Sequence, residues 1–468
     1  MPEGEFAWQC WPESERFLID QFAELMTHNA WAKDFADRLR DQTGTTLTDW
    51  VDHVQINGAK VSHEMLRGLG FKPRRGEDSV PTRRIYMHPG ADLPKLVVNP
   101  HASEGLPSCL GVAIRVENAA AFLAANRLHK TIQGNALGPY REVLVAEGLV
   151  NFWCIERRGY DGFDLFPSSL ARSGQLTPQR ARNTIEAKEM WQTRQRHWAG
   201  DDASGFDHAM GLAGRMIGLV GRDLACELIF EVEREFWESR NRSARGQKFR
   251  QDRLGLGWAN HDHHTFRCSR RNFHRLISVF ELLGFRLREN FHAGENAGWG
   301  AQILDHPVTG IVIFADLDLQ PDELSADFCH TSLEPLPRPN TVGLWVALHG
   351  ESFLEAGMHH LEAQFDFEQA RDGLEREFQV QTMKPFSDFP FLRQAFTKGE
   401  NWQVDPRRID AALKAGWIDV HEAQRFATEG AIGSHLEILE RKQGYKGFNQ
   451  QAVSAILGAT DPRRAIPH

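Results

Sequence analysis

The sequence predicts an α+β protein made of two related halves, each holding strand–helix–strands units twice over. Two observations lead there. Runs of alternating apolar and polar residues are each followed by an amphipathic helix, and the same order of runs occurs twice along the chain. "DWVDHVQINGAKVSHEMLRGLGF" reads as strand, helix and a Leu-Gly-Phe stop, and "GWANHDHHTFRCSRRNFHRLISVFELLGF" reads the same way.

In chain order, the first helical stretch is "FLIDQFAELMTHNAWAKDFADRL", with Phe, Leu and Trp at helical spacing. Its counterpart before the second unit is "LACELIFEVEREFWESRNR". "GVAIRVENAAAFLAANRL", from Gly111, is an extended run, a turn and a helix, and matches "HHLEAQFDFEQARDGLEREF", from His359. "VNFWCIERRGYDGFD", from Val150, matches "SHLEILERKQGYKGFN", from Ser434, and both carry E-R-x-(x)-G-Y-x-G-F. The halves run over about 48–173 and 255–459, with a polar helical connector at about 174–252. An insertion near 383–427 lengthens the second half. It reads as loop then helices, with Asp405 as an N-cap and Pro406 at the first helical position. The expected division is 1–175 with its leading helices, 176–254 as connector and 255–468 as the functional module.

At 468 residues the chain can bury more than one core, and 41% hydrophobic with 25% charged residues is the composition of a globular protein. A net charge of -9 and a pI near 6.2 give no electrostatic case for nucleic acid or an anionic membrane. The arginines between Arg240 and Arg253 read as a solvated helix face. No apolar run is long enough to span a bilayer, and the opening stretch shows no signal peptide. The six cysteines have no CxxC spacing, which points to reduced thiols and a cytoplasmic protein.

Strand alternation decides which polar side chains share a face. In "HDHHTFRC", His263, Thr265 and Arg267 lie opposite the more apolar His264, Phe266 and Cys268. His261 shares the face of His263 but sits at the strand's entry. In "GMHHLEAQF", His360, Glu362 and Gln364 lie opposite His359, Leu361, Ala363 and Phe365. In "SHLEILER", His435, Glu437 and Leu439 lie opposite Leu436 and Ile438, with Glu440 on the apolar side. Three strands thus offer His263, His360 and Glu437. Two imidazoles and a carboxylate with open positions suit non-haem iron(II), and zinc can use the same set.

These residues resemble the vicinal oxygen chelate superfamily, whose βαβββ units pair into a cupped sheet around a metal. "SHLEILERKQGYKGFNQQAVSAIL" resembles the C-terminal segment of the 4-hydroxyphenylpyruvate dioxygenase family, where a carboxylate ligand precedes a Gly-Phe and a final helix. That match implies Glu437, not Glu440, as the ligand. The Gln-His-Leu and Asp-His-Val segments of that family single out His360 and His263. The 2-oxoadipate dioxygenase/decarboxylase family (hydroxyglutarate synthase) carries a His followed four residues later by an Arg that binds a substrate carboxylate, and His263 and Arg267 have that spacing. Two departures stand out. The glycine-rich run of the hydroxyphenylpyruvate enzymes is only "GYKGFNQQA" here, and the Glu-Gln-Arg-Gly ending of the adipate family is Glu440-Arg441-Lys442-Gln443.

The resemblance covers mainly the second half. In the first, His53 aligns with His263, while the position of His360 falls near Leu110 or Gly111 and that of Glu437 on Trp153. That makes the first half a degenerate module, with His53, His63 and His88 as ordinary histidines. The expected function is an iron(II)-dependent dioxygenase that oxidatively decarboxylates a 2-oxo acid, 2-oxoadipate-like, to a hydroxy acid. Zinc, manganese or nickel can stand in for iron in a purified sample. No catalytic side chain is expected beyond the metal's ligands, Arg267 is the anion clamp, and Gln302 on "GAQIL" supplies a hydrogen bond. The partners are the 2-oxo acid and dioxygen, and a homo-oligomer is left open. The alternatives are an extradiol-type ring-cleaving dioxygenase and a non-catalytic binding cup of the same fold.

Overall fold

The computed structural model describes residues 8–74, 83–165, 167, 177–293, 298–449 and 461–463. The first sheet comprises β1 (Val51–Asn57), β2 (Lys72–Pro73), β3 (Arg84–Met87), β4 (Lys95–Asn99), β5 (Cys109–Arg115), β6 (Tyr140–Ala146) and β7 (Asn151–Arg157), in the order β2-β3-β4-β1-β5-β7-β6. The second comprises β8 (His261–Arg267), β9 (Arg286–His292), β10 (Gly300–Asp305), β11 (Val312–Leu317), β12 (His360–Gln364), β13 (Ser387–Phe389), β14 (Leu392–Phe396), β15 (Glu400–Trp402) and β16 (Ala431–Arg441). Its order is β13-β14-β16-β12-β8-β11-β10-β9, with β15 also on β16.

Both sheets follow one rule. A strand leads through a helix, and the last strand of the unit returns parallel beside the first: β4 beside β1, β7 beside β5, β11 beside β8 and β16 beside β12. A parallel return needs such a crossover. The two units of each sheet then meet antiparallel, β1 against β5 and β8 against β12. This is the α+β arrangement of paired vicinal-oxygen-chelate-like units that the sequence predicts.

The outer face of the second sheet holds the larger core. Phe266, Leu361, Ala363, Leu436 and Ile438 belong to it together with the helix Phe273–Leu283, whose Leu276, Ile277, Phe280 and Leu283 form one apolar stripe. Burying each large side chain there contributes about 1.5–3 kcal/mol. The helices Pro178–Gln192, Asp202–Val220 and Arg222–Ser239 join the same core through Trp191, Leu212, Ile229 and Trp237.

Three local readings need correction. The arginine-rich helix Arg242–Asp252 is not wholly solvated: Arg250 is 1% exposed and reaches the Gln42 and Ala370 carbonyls and the Glu377 carboxylate. Gly373 leaves that guanidinium room, since a Cβ there would stand 2.1 Å from Arg250 Nη2 in its present position. The stretch 383–402 is not loop but carries β13 and β14, which belong to the sheet, and β15; only Pro406–Lys414 and Val420–Glu429 are inserted helices. Asp405 does cap the first of these, accepting from Arg407 N at 2.8 Å with Pro406 following. The final helix expected near "QAVSAIL" lies outside the described residues.

The halves touch through a close backbone contact. Gly44 has φ +70° and ends the helix Ala30–Thr43, its carbonyl accepting from Asp366 N at 2.9 Å. A Cβ there would lie 2.6 Å from Ala370 Cα, so no other residue fits. Among the described residues, no helix is long and apolar enough to cross a membrane.

Candidate metal centre

The central strands β16, β12 and β8 lie side by side, and their register assembles the predicted ligands. Glu362 sits opposite both His263 and Glu437, and one row along His360 sits opposite both Thr265 and His435. Each faces away from the helices because its strand neighbours are the buried apolar residues of the outer face. The ligand atoms of His263, His360 and Glu437 lie within 4.8 Å of one another. Glu437 Oε2 stands 3.0 Å from His360 Nε2 and 3.9 Å from His263 Nε2.

Other groups hold this set in place. His263 Nδ1 lies 2.8 Å from Glu362 Oε2, and Glu362 Oε1 accepts from Gln394 Nε2 at 2.7 Å. With its Nδ1 directed at Glu362, His263 has Nε2 on the side of Glu437, where it could bind a metal. His360 Nδ1 lies 2.9 Å from His359 Nδ1, and Thr265 Oγ1 is 2.9 Å from His360 Nε2. Phe314 covers His263 at 4.2 Å between ring centres.

The electrostatics are those of a cation site. Burial disfavours a charged His263, but Glu362, Asp262 and Glu437 outweigh it and raise the ring to about 10. Burial raises Glu437 and pulls His360 well down. Two buried carboxylates beside imidazoles are costly without a cation, and a divalent metal would supply it.

Two further trios come close together, but neither suits a metal as well. In His359, His360 and His435, the rings of His360 and His435 are stacked at 23°. Their in-plane lone pairs therefore run nearly parallel and do not converge. The rings of His263 and His360 stand at 71°, which lets their nitrogens meet. In Asp262, His263 and Glu362, the Asp262 carboxylate is already taken by Arg441 at 2.7 Å.

The ligands line a chamber of about 40 Å³ that also holds Arg267, Asp316, Phe396 and Phe448. Arg267 is 1% exposed, yet Nε and both Nη atoms have no hydrogen-bond partner among the described residues. Trp345 lies 5.6 Å from its guanidinium carbon. A second cavity of about 140 Å³ adjoins the chamber, sharing His263, Phe314 and Phe448 as walls. A larger cavity of about 520 Å³ lies elsewhere and contains none of these ligands.

Gln302 is not brought to the site. It sits opposite Ala315, on the face that packs toward the helices. Its Nε2 donates to the Glu289 and Ile303 carbonyls at 2.9 Å, and its Oε1 accepts from Cys329 Sγ at 3.2 Å. His359 also departs from expectation. It precedes β12, just after Gly357 at φ +81°, so strand alternation does not apply and its ring lines the chamber. His264 packs against Phe230 as a core residue, with Arg234 Nη1 3.2 Å from its Nε2.

Glu362 and His435 were visible on the correct faces in the sequence but carried no assigned role. Asp316 and Gln394 carried no local signal; their place follows from β11 lying beside β8 and β14 beside β16.

The same registers place His53, Gly111 and Trp153 where the second sheet has His263, His360 and Glu437. A Cβ at Gly111 would lie 3.4 Å from Trp153 Nε1, so the indole fills the space. His53 Nδ1 lies 2.7 Å from Asp52, which Arg157 grips at 2.6 and 2.8 Å. The first cup is closed by salt bridges.

The sequence matches no family model and no curated protein. Among solved structures, the chain is similar to a glyoxalase superfamily protein from Ralstonia eutropha JMP134 at 10% identity, covering 57% of this chain and 96% of that one with a TM-score of 0.32. A mutant of 4-hydroxymandelate synthase from Streptomyces coelicolor is 11% identical over 89% of this chain and 100% of that one, with a TM-score of 0.27. Methylmalonyl-CoA epimerase from Mycobacterium tuberculosis is 15% identical over 39% and 89%, with a TM-score of 0.22.

Proposed function

We propose that the protein is an iron(II)-dependent dioxygenase that oxidatively decarboxylates a small 2-oxo acid to a hydroxy acid. One observation carries this reading: two imidazole nitrogens and a carboxylate oxygen converge in a buried chamber that also holds an arginine without a hydrogen-bond partner among the described residues. His263, His360 and Glu437 would hold a ferrous ion, which would supply open positions for a chelating 2-oxo carboxylate and for dioxygen.

The chain's own residues do the rest. Glu362 keeps a proton on His263 Nδ1 and so leaves Nε2 free to bind. Arg267 receives the carboxylate at the substrate's far end, a task its planar fork suits. Phe314, Phe396 and Phe448 keep water out. The chamber has room for only a few waters at about 10–15 Å³ each, and the adjoining cavity behind the shared Phe448 wall is the nearest space for the rest of a substrate. The overall reaction balances without a cosubstrate. Carbon dioxide leaves, one oxygen atom enters the new carboxylate and the other becomes the hydroxyl. Free cysteines accord with a cytoplasmic setting.

The test follows oxygen uptake and carbon dioxide release by iron-loaded protein given 2-oxo acids or catechols. Uptake with release from a 2-oxo acid is expected. Uptake with catechol and no decarboxylation would replace this reading with ring cleavage, and a purified protein that binds no transition metal would leave the binding cup.

A further inference from the structure

The half that lacks the ligands reaches the metal chamber from outside. Beyond Glu437, β16 ends at Arg441 and the chain runs on as a strap through residues 442–449. Phe448 on this strap walls both the chamber and the adjoining cavity. Its ring lies 5.2 Å from that of Phe314, which covers His263, and 5.3 Å from that of Phe291.

The first half fastens the strap along its length. Arg441 Nη1 lies 3.0 Å from Asp92 as well as 2.7 Å from Asp262. Gln443 N donates to Glu15 Oε1 and Trp11 N donates to Gln443 O, both at 2.6 Å. Asp92 N donates to Gly444 O at 3.0 Å, and Lys446 Nζ sits 5.2 Å from the centre of the Trp8 ring. The approach leaves no room for side chains on the strap. A Cβ at Gly444, with φ +59°, would stand 3.0 Å from Ala91 Cβ, and one at Gly447 would stand 2.5 Å from Trp8 Cδ1.

The adjoining cavity opens at this seam. Exposed Asp92 lines it together with Lys446, Gly447 and Phe448 of the strap and with His263 and Glu362. A chamber of about 40 Å³ must widen to admit a substrate. Phe314 and Phe396 are fixed on strands of the sheet, whereas Phe448 sits on a segment outside any strand. We propose that the first half controls access to the metal centre: Glu15 and Asp92 are positioning residues that hold the strap closed, and release of their bonds at the seam lets metal and substrate pass. Control of access rests on the chamber being the metal centre; the fastening itself does not.

The experiment uses full-length protein and cobalt(II), whose visible absorption reports uptake and, with excess EDTA, release. Glu15→Ala and Asp92→Ala should each speed both uptake and release by about tenfold or more, the worth of one hydrogen bond to a charged group, with Kd unchanged. Glu15→Gln keeps an acceptor for Gln443 N and should restore the native rates, which a general loss of packing would not allow. Hydrogen–deuterium exchange of the metal-free protein is the second readout. Amides of residues 442–448 should exchange faster in Glu15→Ala, and those of Glu15→Gln should match the native protein. Native rates in both alanine variants, a weaker Kd with native uptake, or unchanged amide exchange overturns the strap. A native protein that binds no cobalt overturns the metal centre instead, and the fastening then stands or falls on amide exchange alone.

Discussion

Glu362 Oε2 lies 2.8 Å from His263 Nδ1, and Gln394 holds the other oxygen of the same carboxylate at 2.7 Å. This relay sets the tautomer and rotation of the His263 ring. Glu362→Gln keeps the shape but removes the charge that retains the Nδ1 proton. Metal affinity should drop by about 10–100-fold with the fold intact, measured by competition with a coloured chelator. Wild-type affinity in the variant would mean that Glu362 only fills space.

His263, His360 and Glu437 are all buried, so the cation that balances them should also stabilise the fold. At a free metal concentration a hundredfold above Kd, the gain is about 2.7 kcal/mol. Chelation should lower the melting temperature of the native protein. His263→Ala and Glu437→Ala should lose both stoichiometric metal and that chelator-sensitive shift. Variants with wild-type metal content would dismiss the site.

The three candidate ligands could be read onto one side of the sheet because each lies on a strand whose alternate residues are plainly apolar: Phe266 and Cys268, Leu361 and Ala363, Leu436 and Ile438. Their convergence was not legible. It depends on β16, β12 and β8 being neighbours in a fixed register, a long-range property no local pattern encodes. Asp316 and Gln394 escaped for the same reason. Gln302 was misplaced because β10 is buried on both faces, Ala301 and Ile303 on one and Leu304 on the other, so alternation there carries no polarity. Arg250 was misread because a charge-rich helix pattern says nothing about a glycine at 373 opening space beside it.

Arg267 offers a stability test that separates function from scaffold. Burial lowers it to about 10, and no hydrogen bond compensates its guanidinium. Its nearest acid is the buried Asp316 at 4.0 Å, and replacing both charges of such a pair with uncharged side chains of similar size can stabilise a protein by about 1–4 kcal/mol. Arg267→Met combined with Asp316→Leu should therefore melt no lower than the native protein. It should also bind a carboxylate-tailed 2-oxo acid about 10–100-fold more weakly, the worth of a hydrogen bond to a charged group. A clear loss of stability would instead assign Arg267 to the scaffold.

The buried histidines make the fold acid-sensitive, and His349 isolates the effect away from the metal ligands. Its Nε2 lies 3.0 Å from the Ile432 carbonyl, which fixes the neutral ring as donor. Burial, with Arg240, Arg408 and Arg267 adding to it, lowers His349 to about 3 despite that bond. In the unfolded chain the ring takes a proton near its ordinary value of about 6.5. The unfolded state thus binds the proton first as pH falls. The contribution of His349 is fully present above about 6.5 and is lost toward about 3, at about 1.4 kcal/mol per pH unit. His349→Gln retains the N–H donor and cannot titrate. Urea unfolding at several pH values should give the variant a shallower acid limb by that amount per unit. Parallel limbs would show that His349 is protonated, or reached by water, in the folded protein.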